Sequence, residues 1–398
     1  MPLVVWDPAL LAYQLSADHP LNPIRLDLTI SLATELGVLE GISMYAPQPA
    51  TDEVLGRLHT PEYIATVKTA SLPGAESAWW PDELGHGLGT LDNPVFEGMH
   101  DSSALIVGGS VQAAAAIARG EVDRAVNIAG GLHHAMADRA SGFCVYNDAA
   151  LAIMELLRLG AERVAYVDVD VHHGDGVQAA FYDDPRVLTV SLHESPNTLF
   201  PGTGWPWEQG NGAAAGTSVN VALPAGTGDR DWLRAFSAVV PGVLAQFRPD
   251  VLVTQHGADA HAEDPLANLQ LTVDGQRAAQ LMLRDLAQRF AGGRWLALGG
   301  GGYALVRVVP RTWTHLLAIV LDRDVDPETP LPPNFRRRTG ADRLPVRGAP
   351  MPTTMTDGGD TAFTPWDGHG DTPVDRAILA TRTAIYPAHG LDPHDPRD

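Results

Sequence analysis

The residues best suited to chemistry lie in one short stretch, VAYVDVDVHHGDG at positions 164–176. Side chains alternate between the two faces of a strand, so Asp168, Asp170 and His172 are expected on one face. Two carboxylates and an imidazole at the end of an apolar run are costly to bury unless another charge compensates them. Both side-chain types bind zinc, so the stretch predicts a divalent metal site. The alternative, polar residues that cap the next helix, fits Asp175 alone.

Four further apolar runs also end in residues that can do chemistry. One run stops at Asp259, one ends in His133 and His134, one ends in four glycines and Tyr303, and one ends at His193. These runs occupy positions 251–259, 124–134, 294–303 and 187–193. In open parallel sheets, ligands bind beyond the carboxyl ends of the strands, so we expect these side chains to meet at one edge of a sheet.

Helix-like patterns separate the strand-like runs and set the fold class. They lie at 101–119, 147–159, 230–247, 274–291 and 304–321. Strand alternating with helix predicts a single α/β domain with a central, mostly parallel sheet flanked by helices. The active site then lies at the C-terminal ends of the strands.

The chain outside this alternation is expected to be peripheral. We predict a catalytic domain at 1–321 and a Pro/Asp-rich extension at 322–398. Within the extension, 323–372 reads as an extended arm or surface coil, and 374–385 as a short helix that docks on the body, because a lone helix of this length is marginal in water. The first 100 residues are expected to be helices and loops packed around the sheet.

Composition excludes several classes of protein. A net charge of −21 argues against a nucleic-acid partner, since phosphate binding needs basic clusters. The one cysteine, Cys144, excludes an intramolecular disulfide, fits a reducing compartment, and is interpreted as a buried thiol rather than a nucleophile. The N-terminus lacks a signal-peptide pattern, and no stretch approaches the roughly 20 apolar residues of a membrane span. We therefore expect a cytoplasmic protein without a membrane partner.

The candidate residues together describe hydrolysis. Asp170, His172 and Asp259 would leave coordination positions open for water and substrate, as in a catalytic zinc site. A metal lowers the pKa of bound water and polarises a carbonyl. His133 and His134 could face that water, each oriented by an acid such as Asp168 or Asp175. The Tyr303 hydroxyl could donate to a developing oxyanion. This set fits hydrolysis of an amide or an ester.

Six ordered motifs resemble those of the zinc-dependent histone deacetylase family, in the order and spacing of its class I branch. The motifs are GGLHH at 130–134, ASGFC at 140–144, DVDVHHGDG at 168–176, FPGTG at 200–204, GAD at 257–259 and LGGGGY at 298–303. The segment TRTAIYPAHGL at 381–391 is similar to the tail of bacterial acetoin-utilisation deacetylases of the AcuC group. The resemblance implies an arginase/deacetylase-like fold.

The resemblance also implies roles for single residues. It places zinc, or iron in vivo, on Asp170, His172 and Asp259. It makes His134 the general base and then the general acid, with Asp175 behind it.

The resemblance also implies roles for residues around this centre. His133, paired with Asp168, is implied as an electrostatic neighbour, and Tyr303 as the group that polarises the acyl carbonyl. Asp92 would hold substrate backbone amides at the rim, and Arg25 would line an internal channel for the released acid.

The resemblance implies a narrow substrate tunnel and structural potassium ions. Phe143 and Phe200 would form the tunnel walls, with Gly142 beside them. One potassium site is implied at Asp168, Asp170, His172, Ser191 and Leu192, and a second around Phe181, Asp184, Val187 and Thr217.

Two positions depart from relatives and bear on the substrate. Leu132 replaces a tryptophan of eukaryotic members. Leu266 stands where polyamine-selective relatives carry a glutamate. The lack of that negative charge favours acetyl-lysine in proteins as the substrate, for example in an acyl-CoA synthetase.

Three alternatives stay open: an amidohydrolase for acetylpolyamines or other small cationic amides, a non-catalytic acyl-lysine binding protein, and a ureohydrolase with two manganese ions. The ureohydrolase would need additional metal carboxylates. The sequence leaves the oligomeric state open.

Overall fold

The computed structural model describes residues 2–75, 84–339 and 351–398. Eight strands in these parts form one sheet. The strands are β1 (Leu3–Val5), β2 (Met44–Tyr45), β3 (Arg124–Asn127), β4 (Val164–Asp168), β5 (Val187–Glu194), β6 (Ser218–Leu223), β7 (Val251–Gln255) and β8 (Trp295–Leu298). Their order is β2-β1-β3-β8-β7-β4-β5-β6, and every pairing is parallel. The predicted fold class is confirmed.

Helices cover the sheet, and the five predicted helices are present. The helices are α1 (Ile24–Glu35), α2 (Asp52–Leu55), α3 (Pro61–Ala70), α4 (Met99–Ala118), α5 (Asp148–Arg158), α6 (Asp175–Phe181), α7 (Asp229–Phe247), α8 (Val273–Phe290), α9 (Val309–Val320), α10 (Pro333–Arg338) and α11 (Pro373–Ile385). The prediction 304–321 begins too early, because α9 starts only at Val309. Pro310 lacks an N–H and lies in the first turn of α9, where that N–H would have no partner within the helix.

The sequence analysis did not predict three of the strands, namely β1, β2 and β6. The first 100 residues are not only helices and loops, because β1 and β2 extend one side of the sheet through the pairs Val4↔Met44 and Val5↔Tyr45. Strands of three and two residues are too short to show a period of two. β6, with the alternating sequence SVNVAL, carried a readable signal and forms the opposite edge.

α4 is apolar because it is a core helix. Among the described residues it alone is long and apolar enough to cross a membrane, so the expectation that no stretch reaches this length was wrong. However, 78% of its most apolar window is buried inside the protein. Gly108 lies so close to the Gln48 carbonyl that a Cβ would overlap it. The small residues of α4 therefore serve close packing against the loop that precedes α2.

The C-terminal extension contributes to the core. α11 packs against α7 and β6, and its Arg382 is fully buried, with its guanidinium 4.1 Å from the Tyr386 ring centre. The expectation of a surface coil at 323–372 was wrong in part, since this range includes α10 and a fully buried Met355. Proline and glycine marked the lack of regular structure there but carried no information about burial.

Candidate active site

The three predicted metal ligands meet at the carboxyl edge of the sheet. One ligand atom from each of Asp170, His172 and Asp259 lies within 4.8 Å of the others, and all three residues are buried. His172 Nδ1 is 3.1 Å from Asp170 Oδ1 and 3.3 Å from Asp259 Oδ2. Burial, and next the charge of Asp170, raise the pKa of Asp259 to about 6. Among the residues that the structure describes, none makes a hydrogen bond to Asp259 Oδ2. An orphaned oxygen beside a second carboxylate and an imidazole fits a divalent cation.

Backbone turns, rather than strand alternation, bring these ligands together. β4 ends at Asp168, so Asp170 and His172 follow the strand instead of lying in it. The Asp170 N–H donates to Asp168 Oδ1 at 3.1 Å, and the His172 N–H donates to Asp170 Oδ1 at 3.0 Å. Side-chain oxygens that accept from a backbone N–H two residues on form compact turns. The three predicted residues therefore do come together, although the geometric reason given for their convergence was wrong.

Neighbouring strands fix the carboxylates from the other side. Gln255, the last residue of β7, donates to Asp170 Oδ2 at 2.8 Å, and the Gly301 N–H donates to the same oxygen at 2.9 Å. A Cβ at Gly301 would overlap Asp259 Oδ2. The glycine run after β8 thus lets the backbone approach both metal carboxylates.

Two histidine–aspartate pairs lie beside the metal ligands. His133 Nδ1 is 2.7 Å from Asp168 Oδ2, and His134 Nδ1 is 2.6 Å from Asp175 Oδ1. The two Nε2 atoms lie 3.1 Å apart. Burial disfavours a charged His133, but Asp168 and Asp170 outweigh it and raise its pKa to about 9.

The electrostatics distinguish the two imidazoles. Burial, and next the adjacent His133, lower the pKa of His134. A cation bound at the neighbouring ligands would lower it further, because like charges disfavour protonation. His134 is therefore neutral at pH 7, with Asp175 accepting from its Nδ1–H. Its unprotonated Nε2, which lies 3.1 Å from His133 Nε2, is the ring atom that can accept a proton.

Tyr303 is held by a carboxylate that the sequence did not single out. Its backbone N–H donates to Asp264 Oδ2 at 2.8 Å, and Arg25 Nη1 donates to the preceding carbonyl, that of Gly302, at 3.2 Å. Burial, and next the charge of Asp259, raise the pKa of the Tyr303 phenol well above 10, so it stays a hydrogen-bond donor. In the sequence, Asp264 was distinguished only as an acidic residue shortly after Asp259.

A cavity of about 210 Å³ leads to these groups. It is lined by Asp92, His134, Gly142, Phe143, His172, Leu199, Phe200, Leu266 and Tyr303. The Phe143 ring centre lies 5.6 Å from that of Tyr303, and the Phe200 ring centre lies 5.1 Å from that of His134. Two apolar rings, Phe143 and Phe200, line the cavity, and Asp92 lines it at an exposed position. Arg25 is buried and does not line this cavity, but its guanidinium lies 4.9 Å from the Trp313 ring centre.

The other predicted site residues lie nearby. Asp168 and Ser191 are opposite each other in the β4–β5 pairing, and Leu192 follows; the implied potassium sites stay predictions. Leu132 is buried, and its N–H donates to Asp148 Oδ1 at 2.8 Å. The buried Cys144 thiol lies 3.3 Å from the Gly142 carbonyl, and burial raises its pKa. A protonated, buried thiol is not a nucleophile.

Gly142 is expected to be indispensable for the cavity. Its φ is +50°, and a Cβ there would overlap the His134 ring. Gly142→Ala should therefore displace His134 and lower kcat. Gly120→Ala, at an exposed glycine with φ +70° and no heavy atom within 4 Å of an added Cβ, should leave kcat unchanged. Steady-state kinetics of both variants test this. Equal kcat for Gly142→Ala and wild type would contradict the claim that His134 needs the space beside Gly142.

Comparison with known proteins identifies the family. The model of the "Histone deacetylase domain" matches residues 19–320, about three quarters of the chain. The chain belongs to the histone deacetylase family. Two relatives are named acetoin utilization protein AcuC. The Bacillus subtilis (strain 168) protein is 41% identical over 334 residues, which cover 83% of this chain and 84% of that protein. The Staphylococcus xylosus protein is 38% identical, over 78% and 80% of the two chains.

Solved structures agree with this membership. A crystal structure of a histone deacetylase homologue complexed with SAHA has a TM-score of 0.82 at 30% identity, covering 96% of this chain and 99% of that one. A homologue from Aquifex aeolicus has a TM-score of 0.79 at 29% identity, covering 95% and 99% of the two chains. This histone deacetylase family member is accordingly an enzyme of the deacetylase type, similar to AcuC proteins, with a possible metal site at its three buried ligands.

Proposed function

We propose that the protein hydrolyses the amide of N-ε-acetyl-lysine in proteins, releases acetate, and depends on zinc. The observation that carries this is the convergence of Asp170, His172 and Asp259 beside His134, at a cavity that His134 and His172 line. A three-ligand set of two carboxylates and one imidazole suits zinc, and ligand type also permits iron.

The side chains divide the reaction between them. A zinc ion bound there would lower the pKa of water and polarise the amide carbonyl. His134 Nε2 accepts the proton of the attacking water and returns it to the departing lysine amine, while Asp175 holds the imidazole in place. Tyr303 donates its hydroxyl hydrogen bond to the oxyanion that develops on the acyl oxygen. His133, charged beside Asp168, adds positive potential next to this oxyanion.

The cavity supports an uncharged, thin side chain as substrate. Its walls, Phe143 and Phe200, suit the methylenes of lysine, and Asp92 can accept hydrogen bonds from substrate backbone amides at the mouth. Leu266 lines the cavity and is half-buried. It offers no countercharge to the second ammonium of a polyamine, and an unpaired buried charge is strongly unfavourable.

Acetyl-lysine peptides should therefore exceed acetylspermidine in kcat/KM, and Leu266→Glu should shift this preference toward the polyamine. A new buried ion pair with a distal ammonium is worth a few kcal/mol at most, so a shift of about 10–100-fold in the ratio is expected. Side-by-side kinetics with acetyl-lysine, longer acyl-lysine and acetylspermidine substrates measure it. Leu91→Glu, at a side chain 94% exposed next to Asp92, is the matched control for added charge. A wild-type enzyme that prefers acetylspermidine would favour the alternative, a small-molecule amidohydrolase.

The proposal extends to partner and location. We propose an acetylated cytoplasmic enzyme as substrate, such as an acyl-CoA synthetase, because a reducing compartment fits a chain with one buried cysteine. Incubation with such a synthetase, acetylated at lysine, followed by mass spectrometry of the modified peptide, tests this partner. Retention of every acetyl group in the presence of active enzyme would exclude it.

A further inference from the structure

The segment Met355–Gly359, here named the C-terminal clasp, lies far along the chain from the candidate active site but touches the elements that carry it. Its Met355 carbonyl contacts His315 Nε2 at 3.2 Å, and its Thr356 carbonyl accepts from Arg311 Nη1 at 3.1 Å. Both contacted residues belong to α9, which follows the Tyr303 loop. The clasp therefore joins the extension to the catalytic body.

Asp357 makes the central contacts of the clasp. Its Oδ2 lies 2.9 Å from His261 Nε2 and accepts from the Val273 N–H at 2.9 Å. Its Oδ1 lies 2.7 Å from Arg311 Nη1. The side chains of His261 and Arg311 are 4% and 1% exposed. One carboxylate therefore contacts two buried side-chain donors and accepts from the backbone N–H of the first residue of α8.

His261 relays this contact into the loop that follows the metal ligand Asp259. Its Nδ1 accepts from the Glu263 N–H at 3.0 Å, which leaves Nε2 to carry the proton donated to Asp357. The His261 carbonyl accepts from the Asp264 N–H at 2.9 Å. The ring and the carbonyl of one residue thus shape the turn at 261–264.

The same loop ends at the substrate side of the site. Asp264 Oδ2 accepts from the Tyr303 N–H at 2.8 Å, and its Oδ1 accepts from the Leu266 N–H at 3.0 Å. A continuous series of hydrogen bonds therefore leads from Asp357 through His261 and Asp264 to the backbone of Tyr303. The series passes through His261, two residues after the candidate metal ligand Asp259, and ends on Tyr303, the predicted oxyanion donor.

We propose that Asp357 of the C-terminal clasp is a positioning residue for the reaction, acting through His261 on the loop that carries Asp259 and aligns Tyr303. The inference rests on the proposed function for its kinetic consequence. Loss of the carboxylate leaves the buried His261 Nε2 without its acceptor and the buried Arg311 guanidinium without this charged partner, which is costly enough to move a loop. A small displacement of groups that bind metal and oxyanion lowers turnover while leaving the tunnel that binds the side chain in place.

Asp357→Asn in the full-length, zinc-loaded enzyme tests the proposal. The variant keeps shape and one oxygen but loses the charge shared by His261 and Arg311. We expect kcat for an acetyl-lysine peptide to fall about 10–100-fold, with KM changed far less, as when an outer partner of a metal site is lost. The cobalt(II)-substituted protein should also show an altered visible absorption spectrum and weaker cobalt binding. Both readouts are taken well below the melting temperature of each variant.

Asp360→Asn is the matched control on the same segment of the chain. Asp360 lies 3.7 Å from Arg230, and both side chains are more than 60% exposed. This variant should leave kcat, KM and the cobalt spectrum at their wild-type values. If it matches Asp357→Asn in all three, the effect of Asp357 is general destabilisation of the extension and the proposal is overturned.

Asp274→Asn keeps the proposal testable if Asp357→Asn does not fold. Asp274 Oδ1 accepts from Thr356 Oγ1 at 2.6 Å, and its Oδ2 accepts from the Asp357 N–H at 3.0 Å. This variant loosens the clasp without touching His261, and should lower kcat in the same direction. Unchanged kcat and cobalt spectra in the folded variants, even with a lower melting temperature, overturn the proposal. A wild-type enzyme without activity on acyl-lysine would overturn the proposed function instead, while the cobalt spectra still decide this inference.

Discussion

Asp259→Ala is expected to lose its bound divalent metal and essentially all activity. The substitution removes one of two carboxylates that compensate the cation and leaves His172 and Asp170 as a two-ligand site. Because even partners behind the ligands change metal affinity about 10–100-fold, a lost ligand should cost more than about 100-fold. Metal analysis of the purified variant by plasma emission spectrometry, together with peptide deacetylation, measures both effects.

The control for this variant is Asp324→Ala, at a carboxylate whose side chain is 89% exposed. It should keep the wild-type metal content. In the wild type, a chelator should abolish activity and added zinc should restore it. An Asp259→Ala protein with full metal content and activity would show that Asp170 and His172 do not share a catalytic metal with it.

The three candidate metal ligands could be singled out from sequence because each follows a fully buried strand. β4 and β7 begin with apolar residues and are buried throughout, so Asp170, His172 and Asp259 were conspicuous as charged or imidazole side chains after them. Parallel pairing then brings the strand ends to one edge, as in the register Asp168↔Gln255. Local pattern and global topology agree here, which is why the sequence could predict that these three residues lie close together.

The elements that sequence reasoning missed depend on contacts between distant positions. Asp264 became important through a bond to the Tyr303 N–H, 39 residues away, and Asp357 through one to His261, 96 residues away. Neither acid differs from a surface carboxylate in its local sequence. β1 and β2 were missed for a related reason, since their backbone pairing, rather than a side-chain pattern, makes them strands.

The two histidines are expected to differ sharply in their contribution to turnover. His134→Ala removes the group placed to accept and return the proton, and acid–base catalysis alone is worth about 10²–10⁴-fold. His133→Ala should retain more activity, because its proposed role is electrostatic. Single-turnover and steady-state kinetics of both variants, each with its metal content verified, give the comparison.

The pH dependence supplies an independent check on the same assignment. The general base must be unprotonated, and burial together with charged His133 lowers the pKa of His134 from its usual 6.5. The acidic limb of the kcat/KM profile should therefore lie below pH 6.5 in the wild type. In His133→Ala the lost positive neighbour should let the pKa of His134 rise, which moves that limb toward higher pH. A His133 variant that loses more turnover than His134→Ala, with no such movement, would exchange the two roles and make His133 the proton carrier.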